Sequence, residues 1–393
     1  MPTAKGLFRL LPNELILQIA GLLPITDVLS LKSATYSSIR ILQCRILPSG
    51  YLKSTGPFVN VDDLMDVMAK HGAAVSGSRA LAYFLPGSAV NTSDWDIYVP
   101  PISTSVMAVK NALEHSGVTF ESCLQRAARQ LQRGSVFLTA NQMISIAHEA
   151  NHLKRAWLSQ EQTVVDAVRR RYPALRNIGR YTRSNGSIGW MGDISPITID
   201  ANGLVSTMPR YEEGYPSTMA ARVLYGSARK GGRTVPVQLV VGSLDPRKPS
   251  IAEPLYSTIF RSIFSFYASH VQCILTKHVA FHMYYMLAAQ KTAYTWRVLQ
   301  ALQDKTEAAI QKYKQRGFQF TTAPRGADWN LRSAQDRYSC LIELEADGQC
   351  YPTQSQIRDL RWEHKGGSIR LIPQSTTVEA RAELLKFGII SGQ

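Results

Sequence analysis

The chain has 393 residues, too many for one small core, and its 45% hydrophobic and 19% charged content excludes a disordered, charge-rich polymer. The net charge of +15, from 44 Lys and Arg against 29 Asp and Glu, points to acidic partners, with nucleic acid among them. Five scattered cysteines without a CxxC pair argue against a zinc ribbon or a disulfide framework and fit a reducing compartment. No run of about 18 apolar residues marks a membrane span, and Met1–Leu10 lacks the apolar run of a signal peptide. The expectation is a soluble protein of cytoplasm or nucleus, with no membrane partner.

The first element opens at Leu11-Pro12-Asn13-Glu14. Pro12 suits a first-turn position, where its missing N–H costs nothing, and Glu14 complements the positive end of the helix. Leu15, Ile16, Ile19, Leu22 and Leu23 follow at helical spacing, and Pro24 stops the run. Thr26 and Asp27 can cap a second helix bearing Val28, Leu29 and Leu31; the apolar set resumes at Ala34, Ile39, Ile41 and Leu42. So small a unit rarely buries enough to stand alone, so its surplus apolar side chains must pack on the following domain or in a partner's groove. An ordinary N-terminal helical hairpin is the simpler alternative.

The segments Leu11-Pro12-x-Glu14-Leu15-Ile16-x-x-Ile19 and Leu23-Pro24-x-x-Asp27-Val28-Leu29-x-Leu31 resemble the F-box, over residues 8–47. That resemblance implies docking onto the adaptor subunit of an SCF-type ubiquitin ligase through Leu11, Pro12, Leu15, Ile16, Ile19, Leu23, Pro24 and Leu29. The second half departs from the pattern: Ser37-Ser38-Ile39 stands where many F-boxes carry an aromatic residue.

Pro48-Ser49-Gly50 and Ser54-Thr55-Gly56-Pro57 read as linkers. A helix over Val61–Lys70, a strand at Ala73-Ala74-Val75, the turn Ser76-Gly77-Ser78 and a helix over Arg79–Phe84 follow. Pro86-Gly87 turns the chain into a strand, Asp94–Val99. A Gly-Ser pair at a strand-to-helix turn lets backbone and hydroxyl approach a phosphate. Carboxylates at i and i+2 of a strand share one face, so Asp94 and Asp96 are candidates to hold Mg²⁺ against a nucleoside triphosphate. The alternative is a phosphate-free turn beside a surface Asp pair.

This order resembles the nucleotidyltransferase superfamily, of DNA-polymerase-β-like fold, with Gly77 and Ser78 as nucleotide-binding residues and Asp94 and Asp96 as catalytic and metal-holding residues. The gap between turn and acids is somewhat longer than usual there. The superfamily also implies a third carboxylate on a later strand. The best candidate strand, Val235–Val241, places Gln238 there, with Asp245 just beyond as a stand-in. The substitution implies a degenerate site that binds a nucleotide without transferring it.

The wider layout is similar to filamentous-fungal proteins that join an F-box to a nucleotidyltransferase-like body. The matching segments are Val75-Ser76-Gly77-Ser78-x-Ala80-Leu81-x-Tyr83-Phe84-x-Pro86-Gly87, Ser93-Asp94-Trp95-Asp96, Val237-Gln238-Leu239, Ser269-His270-Val271-Gln272-Cys273, Ala280-x-His282-x-Tyr284, Lys312-Tyr313-x-x-Arg316-Gly317-Phe318 and Asp336-Arg337. The fold class expected is α+β: a small all-α module at 8–47, an α/β body with a mixed sheet at 55–345, and a C-terminal extension at 346–393.

Elsewhere, Arg169-Arg170-Arg171 and the group Arg229, Lys230, Arg233 are local basic clusters that a solvated surface explains. His148-Glu149-Ala150-Asn151-His152 is a literal H-E-x-x-H, which on a helix over Asn141–Ser159 pairs two zinc ligands with a base. A third ligand is wanting: Arg155 and Leu158 break the extended form, and Glu161 lies only nine residues past His152. Arg176–Gly192 reads as a basic loop, and Val237-Gln238 and Val271-Gln272 as neighbouring strands. His278 and His282 would share a face of a helix, as structural hydrogen-bonders. Thr306–Arg316 is a helix capped by Gly317, Phe318–Phe320 and Tyr338–Leu344 are strands, and Val378–Phe387 looks helical. The leading reading is an F-box substrate-recruiting subunit that brings an unknown protein to the ligase. A Mg²⁺-dependent nucleotidyltransferase is the alternative, and a zinc hydrolase ranks last.

Overall fold

A computed structural model describes residues 11–34, 41–121, 220–242, 255–296, 303–322, 331–344, 356–365 and 368–372, with short backbone stretches between 179 and 216. The chain divides into two units, Met1–Thr119 with Thr218–Gln393, and Phe120–Ser217. The first is mixed α/β, with a helical N-terminal region and a mixed sheet.

The N-terminal region holds α1 (Asn13–Leu22), α2 (Ile25–Ala34), α3 (Ile41–Ile46) and α4 (Pro48–Thr55). Helix α1 buries Ile16 and Ala20, and α2 buries Ile25 and Val28. Thr26 lies inside α2 rather than before it; its hydroxyl makes a 2.7 Å hydrogen bond with the Tyr285 hydroxyl instead of capping the helix. The Pro48-Ser49-Gly50 stretch, read as linker, is helical. Pro48 occupies the first turn, where it lacks nothing, and Gly50 lets α4 pack tightly: a Cβ there would stand 2.1 Å from the Cys44 carbonyl oxygen. Cys44, Cys273 and Cys340 are free thiols.

The body follows with α5 (Val61–Lys70), β1 (Ala74–Ser76), α6 (Gly77–Phe84), β2 (Trp95–Val99), α7 (Ser103–His115) and β3 (Thr119–Phe120). Five strands stand between 179 and 216: β4 (Gly179–Thr182), β5 (Ile188–Met191) and β6 (Ile197–Ile199) form an antiparallel sheet, and β7 (Tyr211–Glu212) pairs with β8 (Tyr215–Pro216). The basic stretch Arg176–Gly192, read as loop, thus contains two paired strands; alternation such as Ile188-x-Trp190 was hidden among Arg, Ser and Gly.

Next come β9 (Ala220–Lys230), β10 (Arg233–Gly242), α8 (Leu255–Phe264), a 3₁₀ turn (Ser269–Val271), β11 (Cys273–Leu275), β12 (Val279–His282), α9 (Tyr285–Ala289), β13 (Thr292–Thr295), α10 (Gln303–Lys314), β14 (Gln319–Thr322), β15 (Leu331–Ser333), β16 (Cys340–Glu343), β17 (Arg361–Lys365) and β18 (Ser368–Leu371). The main sheet runs β16-β12-β11-β1-β2-β10-β9-β3. Within it β2 and β10 are parallel, while β1 is antiparallel to both β2 and β11. Two strands therefore separate Val237-Gln238 from the Val271-Gln272 segment, so these are not neighbours; Val271 lies in the 3₁₀ turn. His282 ends strand β12, so His278 and His282 share no helix face.

The core lies on both faces of this sheet. Trp95 is wholly buried against Tyr51 and Phe58, and Tyr83 and Phe84 pack beside it. Trp362, from the segment read as an extension, is equally buried among Phe264, Phe281 and Tyr284. The crossover between the parallel strands β13 and β14 is α10, ended by Gly317 at φ +85°, which only glycine adopts without strain.

Arg45 ties the helical region to the body. Its Nε donates to the Ala20 carbonyl at 3.3 Å, and its Nη2 donates to those of Leu23 at 3.3 Å and Tyr83 at 2.7 Å. One guanidinium thus satisfies carbonyls at the C-terminal ends of two helices, where a cation also opposes the helix dipole. Tyr83 returns the contact, donating its hydroxyl to the Ile46 carbonyl at 2.5 Å. Replacing Arg45 with Ala removes the donor to the Leu23 and Tyr83 carbonyls, while Ala20 keeps the Leu23 N–H, and is expected to lower stability by about 1–3 kcal/mol in urea unfolding; an unchanged midpoint would show that water satisfies them instead.

Candidate active site

The site begins where β1 runs into α6. Ser76 is extended, and its hydroxyl donates to the Cys273 carbonyl at 2.6 Å, which fixes the end of β1 against β11. Gly77 then takes φ +69°. A Cβ at this position would stand 2.5 Å from Asp96 Oδ2. Both backbone and space therefore require glycine. No side chain caps the first turn of α6, so the positive end of the helix meets the acid strand.

Strand β2 supplies Asp96, and Asp94 stands just before its first residue. Val75 and Ser76 pair with Ile97 and Asp96, and Gln238 on β10 pairs in parallel register with Asp96. Trp95 and Ile97 point into the core, leaving Asp94 and Asp96 together on the other face, each partly buried. Gln238 Nε2 donates to Asp94 Oδ2 at 2.9 Å. The amide thus stands beside the carboxylate pair, at the level where the resemblance implies a third acid. Asp245 lies outside the described residues.

Burial, reinforced by the neighbouring Asp94 charge and opposed by Lys312, pushes the Asp96 carboxyl up to about 7. Lys312 approaches from α10. Its pKa is lowered by partial burial and by Arg316, while Asp94 and Asp96 act the other way. Tyr313 is buried, and its ring packs 4.2 Å from that of His270. Burial drives His270 far below the usual histidine range, so it is a neutral part of this wall.

The resemblance implies a divalent cation. The donor set fits one such ion, with Asp94 and Asp96 as the residues that would hold it and Ser78 and the α6 terminus beside them. Among the described residues no group of three or more His, Cys, Asp or Glu side chains is gathered that could hold a metal ion. The His148-Glu149-Ala150-Asn151-His152 motif lies outside the described residues. Lys312 stands in the last turn of α10 and Arg316 just past its end.

A second surface stands on α1. Leu15, Ile19 and Leu22 are 43%, 37% and 79% exposed, although Ile16 and Ala20 on the same helix are buried. Of the remaining expected docking residues, Pro12 is exposed, while Leu11, Leu23, Pro24 and Leu29 are half-buried. Ile16 packs within the chain itself. Among the described residues no helix is long and apolar enough to cross a membrane.

No family model, curated protein or solved structure matches the chain.

Because the folded chain binds the Asp96 proton more tightly than the unfolded chain, Asp96 contributes stability that is fully present below about pH 3.8 and is lost as pH rises through about 7. Melting of wild type against Asp96→Asn, from pH 4 to 8, should show wild type losing ground across that window and a constant difference above it. A difference that does not vary with pH would place the Asp96 carboxyl in the ordinary range.

Proposed function

We propose that the chain is a substrate-recruiting subunit of an SCF-type ubiquitin ligase, with an F-box at residues 8–47 and a nucleotidyltransferase-like body whose site is degenerate. The observation that carries this reading is the apolar row Leu15, Ile19 and Leu22, exposed on a helix whose neighbouring face is seated by Ile16, Ala20 and the Arg45 clasp. Large apolar side chains at i, i+4 and i+7 on a rigid helix suit docking into a partner's apolar groove. The excess positive charge makes acidic polymers, including nucleic acid, candidate ligands of the body.

Changing Leu15 and Ile19 to Asp places charges in the centre of that row while leaving the buried face intact. Affinity for the adaptor is expected to fall by at least about thirtyfold, a loss of about 2 kcal/mol, as for central apolar anchors. Undiminished co-purification with the adaptor would sink the F-box assignment.

A second reading, a Mg²⁺-dependent nucleotidyltransferase, is favoured by the contact of Gly77 with Asp96 and the placement of Ser78 at the helix start. When bound, a divalent cation would screen the phosphates and orient them against the Gly77-Ser78 turn. Gln238 weighs against transfer, because an amide lends no negative charge and donates its N–H to Asp94. Calorimetry with ATP and Mg²⁺ is expected to show binding that disappears in the Asp94→Ala, Asp96→Ala double variant, without turnover by wild type. Gln238→Asp is expected to raise transfer activity above that background. Turnover by wild type would favour the enzyme reading, and absence of nucleotide binding would leave the body a scaffold.

A further inference from the structure

The segment from Leu85 to Ser93 joins α6 to the acid strand, and it is the insertion that makes the gap between the Gly-Ser turn and the acids long. Arginines from two distant elements grip it. Arg79, buried in the first turn of α6, donates from Nε to the Ser93 carbonyl at 3.0 Å and from Nη2 to the Asn91 carbonyl at 2.9 Å. Its guanidinium lies 5.2 Å over the Trp95 ring, which keeps the fork in plane with the loop. Arg316, just past α10, donates from Nη1 to the Ser88 carbonyl at 2.6 Å and from Nη2 to Ser93 Oγ at 3.5 Å, and stacks 4.9 Å over Tyr313.

Ser93 is where these contacts converge. It is 3% exposed and directly precedes Asp94. Its carbonyl accepts from Arg79, its hydroxyl accepts from Arg316 and from the Val90 N–H at 3.0 Å, and its own N–H donates to the Val90 carbonyl at 2.9 Å. A residue bound at both backbone groups and at its side chain has little freedom, so the chain enters Asp94 in one direction. Asp94 is then met by Gln238 at 2.9 Å.

By charge alone, Arg79 and Arg316 would be assigned to the phosphates of a nucleotide. Yet both direct their donors into the loop. Lys312 interacts electrostatically with both Asp94 and Asp96, Arg79 with Asp94 alone, and the Lys312 ammonium lies 5.8 Å over the Tyr313 ring rather than in the loop. We infer that Arg316 and Arg79 are positioning residues: acting through Ser93, they hold the long α6–β2 loop so that Asp94 stands beside Asp96, and Lys312 is left to face the phosphates. This rests on the cation- and nucleotide-binding reading of the site.

The test uses the full chain and Mn²⁺ alone as probe, so that no phosphate enters the measurement. Arg316 is partly exposed and can be changed with less risk to the core than Arg79. Arg316→Ala and the uncharged change Ser93→Ala should each weaken Mn²⁺ binding by about ten- to a hundredfold, as loss of an outer support does at metal sites. Both should also speed amide hydrogen exchange in the peptide spanning 85–94. Lys312→Ala should leave exchange in that peptide near wild type and weaken ATP more than AMP. If Arg316→Ala and Ser93→Ala leave Mn²⁺ affinity intact while Arg316→Ala alone weakens ATP, Arg316 is a phosphate ligand and the inference falls. Unchanged exchange in both variants also overturns it, whether or not wild type takes up Mn²⁺. Failure of wild type to bind Mn²⁺ sinks the cation-site reading itself, and the exchange comparison still decides whether the arginines hold the loop.

Discussion

A carboxylate oxygen of Asp96 occupies the space that any side chain on residue 77 would need, since a Cβ there would lie 2.5 Å away. That contact joins a strand-to-helix turn to the middle of the neighbouring strand. It requires the left-handed backbone of Gly77, which turns α6 away from β1 so that its uncapped first turn faces the acid. The strand registers then carry the same level across the sheet, from Ser76 to Asp96 to Gln238. Moving β2 by one residue would reverse the faces of its side chains and send an acid into the core beside Phe58 and Tyr51.

Charge at this level is balanced in an uneven way. Asp94 receives an amide N–H from Gln238. Asp96 has burial and a like charge against it, so it retains a proton up to about pH 7. A carboxylate at 238 would place a third negative charge against two that already disfavour each other. The amide removes that repulsion and contributes a donor, which stabilises the acid pair without a cation. An amide at 238 carries no negative charge, so two carboxylates stand at this level beside one amide donor.

The parts of this site legible in sequence are those encoded within one short stretch. The helix over Val61–Lys70, the Gly77-Ser78 pair after β1 and the Asp94-x-Asp96 spacing each follow from local sequence; the structure places the first as a helix, Gly77 and Ser78 in the first turn of α6, and Asp96 in β2 with Asp94 just before it. Gln238 is singled out in sequence only through the resemblance, which asks for a third acid on a later strand; its pairing with Asp96 comes from the sheet topology. What could not be read depends on contacts between distant segments. Arg316 reaches a loop 228 residues earlier in the chain, at Ser88. The helix at Pro48–Thr55 exists because Gly50 can press against Cys44, which no local propensity announces. Likewise, Trp362 lies in a segment without strong periodicity and still fills the core, because one large aromatic can anchor two short strands.

Helix α6 connects the two surfaces on which the proposed function rests. Its C-terminal end gives the Tyr83 carbonyl to Arg45, which also holds the end of α1, while the Tyr51 hydroxyl donates to the Arg79 carbonyl at 2.8 Å in its first turn. The N-terminal end of the same helix carries Gly77, Ser78 and the Arg79 grip on the acid loop. The helical region is therefore built into the body rather than tethered to it, with Thr26 and Tyr285 as a further contact. This explains why only part of the apolar set on α1 is exposed. Ile16 and Ala20 are used to seat the helix, and Leu15, Ile19 and Leu22 remain outward because the seat fixes which side of α1 faces solvent.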